Sequence, residues 1–293
     1  MLRKHLLQIA SIFLSTLFIC SCSGQLNKSR PNVLVIHVDQ WRAQSAGYAG
    51  DRDVITPNLD SLAVSAANFE NAVSGVPVCT PYRASFMTGQ RPLTNGVFMN
   101  DILLDTNAVS IAKVFAASGY STGYIGKWHL DGNYRFSFTP PGARRQGFQY
   151  WKAVNCDHNY NHSIYYDNDD STRRYWQGYD VIAQSKDATL YIKDHAKDQH
   201  PFFLMIAFGP PHNPYYEAPE PYKNRYDPLK IKLRVNVPDS MQQQVRKDQA
   251  AYYSQMTAID DQIGKIITTL KQQGIYDNTI LIFTSDHGEL MGS

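Results

Sequence analysis

The 293-residue chain is short of cysteine, of net charge and of long apolar runs, and each shortage removes a class of protein. Two of its four cysteines, Cys20 and Cys22, fall within the first 24 residues. Only Cys79 and Cys156 remain in the body, too few for a disulfide framework; one Cys79–Cys156 bridge is the alternative to a reactive thiol. Lys and Arg number 28 against 26 Asp and Glu. Loss of Arg3 and Lys4 would equalise them, leaving no excess positive field for phosphate backbones, so nucleic acid is not an expected partner. The one long apolar run, Leu6 to Ile19, falls short of the roughly 20 residues that span a bilayer, and Gln8 interrupts it. There is no internal repeat and no low-complexity tract. What remains, 43% hydrophobic and 18% charged, is globular and long enough for one large domain or two smaller ones.

Residues 1–24 have signal-peptide order: basic Arg3 and Lys4, the apolar run, then small residues around Ser21, Cys22, Ser23 and Gly24. The segment resembles a bacterial lipoprotein signal. Ser21 supplies the small residue before a lipidated Cys22, whereas a cut before Cys20 would place bulky Ile19 there. The expectation is export to the periplasm or cell envelope, with membrane attachment only through that lipid; plain secretion is the alternative.

The rest, residues 30–293, alternates short β-branched runs with helical spacing. Asn32 to Val38, Ser121 to Ile125, Phe202 to Phe208 and Thr279 to Ser285 read as strands buried on both faces. Thr56 and Pro57 start a helix, with Asp60 placed to stabilise its dipole rather than to catalyse. Further helices are expected from Ser110 to Ala117, from Asp180 to Ala196 and, longest, from Met241 to Gln273, with Gly274 as its stop. Arg135 to Tyr179, rich in Tyr, Asn, Asp and Arg, reads as long surface loops with room for a hairpin, a region where substrate selectivity could reside. The pattern predicts an α/β fold, three layers α/β/α about a largely parallel sheet.

Four of these strands finish in polar clusters: Asp39 and Gln40; Lys127 and His129; His212; Asp286 and His287. Ligand sites of open α/β sheets lie outside the carboxyl ends of their strands, so one shared site is the economical explanation. Singly, each has an ordinary reading as a cap, a solvated loop or a turn residue. Asp39 and Asp286 beside Gln40 and His287 make an oxygen-rich site for a divalent cation; calcium fits first, and the imidazole leaves room for manganese. His37, inside a strand, reads as a core residue, and His158 and His162, in the aromatic loop, read as surface residues, with substrate contact as the alternative.

The remaining element is Cys79-Thr80-Pro81-Tyr82-Arg83, followed by Thr88-Gly89. With the strand-end residues in order, the chain from Pro31 to Ser293 resembles the type I, formylglycine-dependent sulfatases of the alkaline phosphatase superfamily. The resemblance implies an alkaline-phosphatase-like fold in which a formylglycine-generating enzyme oxidises Cys79 to an aldehyde whose hydrate is the nucleophile, with Cys79 then joining Asp39, Gln40, Asp286 and His287 around the cation. One hydroxyl would attack sulfur and the other expel sulfate by restoring the aldehyde. Arg83 would bond the diol, Lys127 would hold sulfate oxygens, His129 would steer collapse of the diol and His212 would protonate the leaving oxygen, the two histidine roles being exchangeable. A sulfated saccharide is the expected substrate. Many members begin their metal set with Asp-Asp where this chain has Asp39 and Gln40, and members continue past the position of Ser293 with a further lysine and a smaller C-terminal subdomain, so the chain reads as truncated and impaired alone. A phosphonate or phosphodiester hydrolase, or a glycan-binding lipoprotein with a degenerate site, are the competing readings.

Overall fold

The computed structural model describes residues 30–293. The signal segment read in residues 1–24, with Cys22, lies outside the described residues. From Pro31 to Ser293 the chain is one structural unit.

Seven strands, β1 (Asn32–Asp39), β2 (Ser121–Lys127), β3 (Tyr150–Val154), β4 (Ile164–Asp167), β5 (Asp170–Tyr175), β6 (Phe202–Pro211) and β7 (Thr279–Ser285), form a single sheet. Their order is β5-β4-β3-β2-β6-β1-β7. The five strands from β3 to β7 across the sheet are mutually parallel, and β4 and β5 add an antiparallel hairpin at one edge. The main helices are α1 (Pro57–Ser65), α2 (Cys79–Thr88), α3 (Ile111–Ala117), α4 (Asp180–His195) and α5 (Gln242–Gln272).

Because successive strand residues point to opposite faces, each central strand feeds two cores. Leu34, Ile36 and Val38 of β1 and Leu204, Ile206 and Phe208 of β6 meet Val181 and Ile192 of α4 and Ile259, Ile263 and Ile266 of α5. Val33, Val35, Phe203 and Met205 meet Ala84 and Met87 of α2, Ala112 of α3 and the aromatic set Tyr124, Trp128, Phe148 and Trp151. That is the expected three-layer arrangement, with every residue of β1 buried.

Local chemistry explains the boundaries. Ser110 caps α3 by accepting the Lys113 amide at 3.1 Å. Thr56 stands at the N-cap of α1, but its side chain accepts none of the helix amides; its hydroxyl takes the Gly47 amide at 2.9 Å and donates to the Asp60 carboxylate at 3.1 Å. The free amides of that first turn go instead to Asp260 of α5, which accepts from Asn58 and Leu59 at 3.0 and 2.8 Å. Asp60 is structural, as expected.

One part of the sequence reading is corrected. The segment 135–179 holds the anticipated hairpin, but it also holds β3, a core strand that pairs with β2 from Gly123–Tyr150 to Lys127–Val154. A five-residue strand set among polar aromatic loops carries too short a pattern to stand out; only its neighbour β2 identifies it.

Candidate active site

The strands of the parallel sheet bring the polar clusters to one end. The β1–β6 register slips after Val38, so that Asp39 faces Pro211, opening the strand ends where the side chains gather. Gly126, just before Lys127, lets β2 approach β6 closely: it sits at φ 105°, and a Cβ there would lie 2.2 Å from the Ala207 carbonyl oxygen. Gln40 and His129 turn sharply at φ 66° and 56°, left-handed conformations that cost free energy in non-glycine residues and collect at functional sites.

At the centre lie four buried charges. Arg83 of α2 donates to Asp39 and Asp286, both at 3.2 Å, and to the Lys127 carbonyl at 2.7 Å. The Lys127 ammonium donates to Asp39 at 2.6 Å. Burial alone would raise the Asp39 carboxyl, but Lys127 and Arg83 overcome it and hold Asp39 well below the usual range. Asp286 is raised, by burial and then by Asp39 beside it.

Cys79 begins α2, where the backbone dipole is positive. Its Sγ lies 3.5 Å from Asp39 Oδ1, 3.4 Å from His287 Nε2 and 3.8 Å from Lys127 Nζ. Burial, followed by Asp39, pushes the thiol up to about 12, so the unmodified side chain is held as a thiol and is a poor nucleophile. Cys156 is also a free thiol, so no Cys79–Cys156 bridge is formed.

One donor atom from each of Asp39, Cys79, Asp286 and His287 lies within 4.8 Å of the others. Two carboxylates, an imidazole and a fourth group, three of the four buried, converge in a way that suits a divalent cation. Gln40 adjoins the group: its amide N–H donates to Asp286 at 2.9 Å, and its side chain donates to Glu289, which also accepts from Tyr215 at 2.8 Å. A carboxylate absent from position 40 itself therefore stands one side chain away, at Glu289.

His129 is buried, with Nε2 at 3.0 Å from Asp101 Oδ1, while its Nδ1 has no hydrogen-bond partner among the described residues. Arg135 clamps Asp101 from outside at 2.8 Å. Burial and then Lys127 lower His129 to about 3, keeping its imidazole neutral. His212 is half-buried; its Nδ1 lies 2.7 Å from the Asn213 carbonyl, which leaves Nε2 as its free nitrogen.

The structure thus gathers Asp39, Cys79, Arg83, Lys127, Asp286 and His287 in direct contact, with Gln40, His129 and His212 around them. It also adds a residue read as superficial. His158, four residues past β3, puts Nε2 at 3.2 Å from Lys127 Nζ and stacks on His212, ring centroids 4.3 Å apart. The strand-end rule that located the other clusters would have found it, had β3 been recognised. His162 does lie at the surface, stacked on Tyr175, and His37 is wholly buried beside Tyr82 and Phe86, as expected.

A cysteine at a helix start thus stands at the carboxyl ends of a parallel sheet, ringed by two carboxylates, an imidazole, an ammonium and a guanidinium. The sequence profile of the Sulfatase family matches residues 31–293, and the chain belongs to that family. It is 44% identical to an ulvan-active sulfatase of Formosa agariphila, over 97% of this chain and 57% of that protein. The fold superposes with a TM-score of 0.86 on the sulfatase-family protein YidJ of Bacteroides fragilis, at 32% identity, covering 93% of this chain and 65% of that one. Ps i-CgsB, solved with a neocarrahexaose, superposes with a TM-score of 0.75 at 26% identity, covering 90% of this chain and 60% of that one. The chain therefore spans roughly three-fifths of these relatives' length.

Proposed function

We propose that this protein hydrolyses sulfuric esters of a sulfated carbohydrate, with formylglycine formed from Cys79 as nucleophile and one divalent cation, calcium before manganese. The observation that carries the reading is the meeting at Cys79 of Asp39, His287 and Lys127. The carbohydrate rests on the relatives, one named for ulvan and another solved with a neocarrahexaose.

The charges favour such a substrate. The Asp39 and Asp286 carboxylates balance the Arg83 guanidinium and the Lys127 ammonium. A divalent cation held by Asp39, Asp286, His287, Gln40 and the residue-79 side chain would supply the positive charge that favours an ionised hydroxyl and attracts an anionic ester. Lys127, reaching past Asp39, holds sulfate oxygens as charge develops, and Arg83 fixes both carboxylates and the start of α2. His212, in its imidazolium form with Nδ1–H on the Asn213 carbonyl, gives the proton on Nε2 to the leaving oxygen and ends neutral. His129, neutral with Asp101 on Nε2, offers a free Nδ1 lone pair to accept the proton whose loss restores the aldehyde.

The aldehyde hydrate answers a difficulty that a thiol would leave standing. Cys79 is kept protonated by its surroundings, and a sulfated thiol would need water to release it, whereas a diol expels sulfate by itself. Residues 1–24 serve, in this reading, as a lipoprotein signal that leaves Cys22 lipidated at the cell envelope.

The test is to co-produce the full-length protein with a formylglycine-generating enzyme and read the Cys79 peptide by mass spectrometry, with sulfate release measured on ulvan and carrageenan. Aldehyde at Cys79 together with sulfate release abolished in Cys79→Ala supports the proposal. A persistent thiol, or release that survives Cys79→Ala, refutes it.

A further inference from the structure

His158 has no part in the chemistry above, yet it touches two of the residues that do. Its Nε2 faces the Lys127 ammonium at 3.2 Å and the Cys156 thiol at 3.6 Å. An ammonium has only protons to offer, so this nitrogen accepts and the proton of the neutral ring sits on Nδ1. The opposite contact is the ring face, which lies 15° from parallel on the His212 imidazole at 4.3 Å, with Tyr160 edge-on at 6.2 Å. Among the described residues His212 otherwise has one hydrogen bond, from Nδ1 to the neighbouring Asn213 carbonyl, which holds one ring nitrogen.

We propose that His158 is a positioning residue that aligns Lys127 and His212 together: its Nε2 lone pair directs the ammonium toward the sulfate oxygens, and its ring face sets the plane in which His212 presents Nε2 to the leaving oxygen. The inference rests on the sulfatase reading. A neutral ring is essential to both contacts, because a protonated His158 would set a cation against Lys127 and against the imidazolium form in which His212 serves as the acid. Burial and then Lys127 lower His158 to about 3, in keeping with that requirement.

Two variants separate the contacts. His158→Phe keeps a ring against His212 and removes the acceptor; His158→Gln keeps an acceptor for Lys127 and removes the ring. Inorganic sulfate affinity, measured by calorimetry on the full-length protein, reads Lys127. Rates on 4-nitrophenyl sulfate against phenyl sulfate read His212, because only the poorer leaving group depends strongly on an acid. His158→Phe is expected to weaken sulfate about tenfold with the ratio of the two rates unchanged, the scale of a lost hydrogen bond to a charged group. His158→Gln is expected to hold sulfate within about threefold while losing roughly tenfold more rate on phenyl sulfate than on 4-nitrophenyl sulfate. In a His212→Ala background that second effect should vanish, which a general loss of structure would not produce.

Equal losses on every readout in both variants, or wild-type values in both, overturn the proposal. If the wild-type protein releases no sulfate from either ester, the sulfatase reading fails on its own. The calorimetry still decides the Lys127 contact, and equal sulfate affinity in wild type and His158→Phe overturns it.

Discussion

Arg83→Met is the sharpest test of how the centre is held together. The guanidinium is 2% exposed and bridges two carboxylates that are wholly buried, each at 3.2 Å. Methionine fills much the same volume, so the substitution mainly removes the charge and its hydrogen bonds. Lys127 then faces Asp39 and Asp286 alone. Breaking a buried ion pair by deleting one partner costs about 3–5 kcal/mol, because the other is left uncompensated. For a domain of this size each kcal/mol shifts the midpoint by roughly 2–4 °C, so a fall on the order of 10 °C is expected in thermal unfolding with a chelator present. Added calcium should return part of the loss, since a ligand at about a hundred times its dissociation constant stabilises by roughly 2.7 kcal/mol. The variant, carrying one uncompensated carboxylate, should gain more from calcium than the wild type does. A fall of less than about 2 °C, or equal calcium shifts in the two proteins, would refute the charge assignment.

Other outcomes follow from single features. Asp180, buried at the start of α4, is pushed up to about 8 chiefly by burial. Its folded value exceeds its unfolded one, so the stability it contributes is full below about pH 4 and is lost as pH rises through about 8, at up to roughly 1.4 kcal/mol per pH unit between. Asp180→Asn should flatten that slope in urea titrations at several pH values; an unchanged slope would sink the assignment. Gly126→Ala meets both the Ala207 carbonyl and a positive φ, and should cost on the order of 3 kcal/mol, read as a lower urea midpoint, and displace Lys127. Phe203, wholly buried and stacked on Phe115 at 4.4 Å, should lose about 3–5 kcal/mol on truncation to alanine, read by the same titration. Unmodified Cys79 should react with iodoacetamide more than about a hundredfold more slowly in the native chain than in urea, as peptide mass spectrometry over time would show.

The parts legible in the sequence are those whose signal is local. β1, β6 and β7 are short β-branched or aromatic runs, and α5 carries Tyr252, Met256, Ile259, Ile263, Ile266 and Leu270 on one buried face, as its spacing predicts. Apart from Cys79 and Arg83, which their own motif marks, the site residues were legible for a related reason: strands end in or just before them, and a strand end is visible wherever the strand is. β3 fails that condition, with only five residues and half-buried Tyr150 and Lys152 among them, and the place of His158 beside Lys127 was hidden with it. Also hidden were contacts that no spacing encodes, such as Asp260 capping α1 from about two hundred residues away, or Glu289 beside Gln40. Such pairings depend on which helix packs where, and sequence distance carries no information on that.

The burial of Cys79 sets a clock. Any enzyme that converts this side chain must reach a thiol that the finished fold leaves 5% exposed. Of its immediate neighbours, Asp286 and His287 are contributed after β7, which must be synthesised and docked on β1 from far along the chain. Some 207 residues separate Cys79 from Asp286. At synthesis rates of about 5–20 residues per second, the cysteine motif exists for roughly 10–40 seconds before those two neighbours have been made. A modifying enzyme that works on the emerging chain has that interval in which to act; one that waits for the completed sheet would first have to open it.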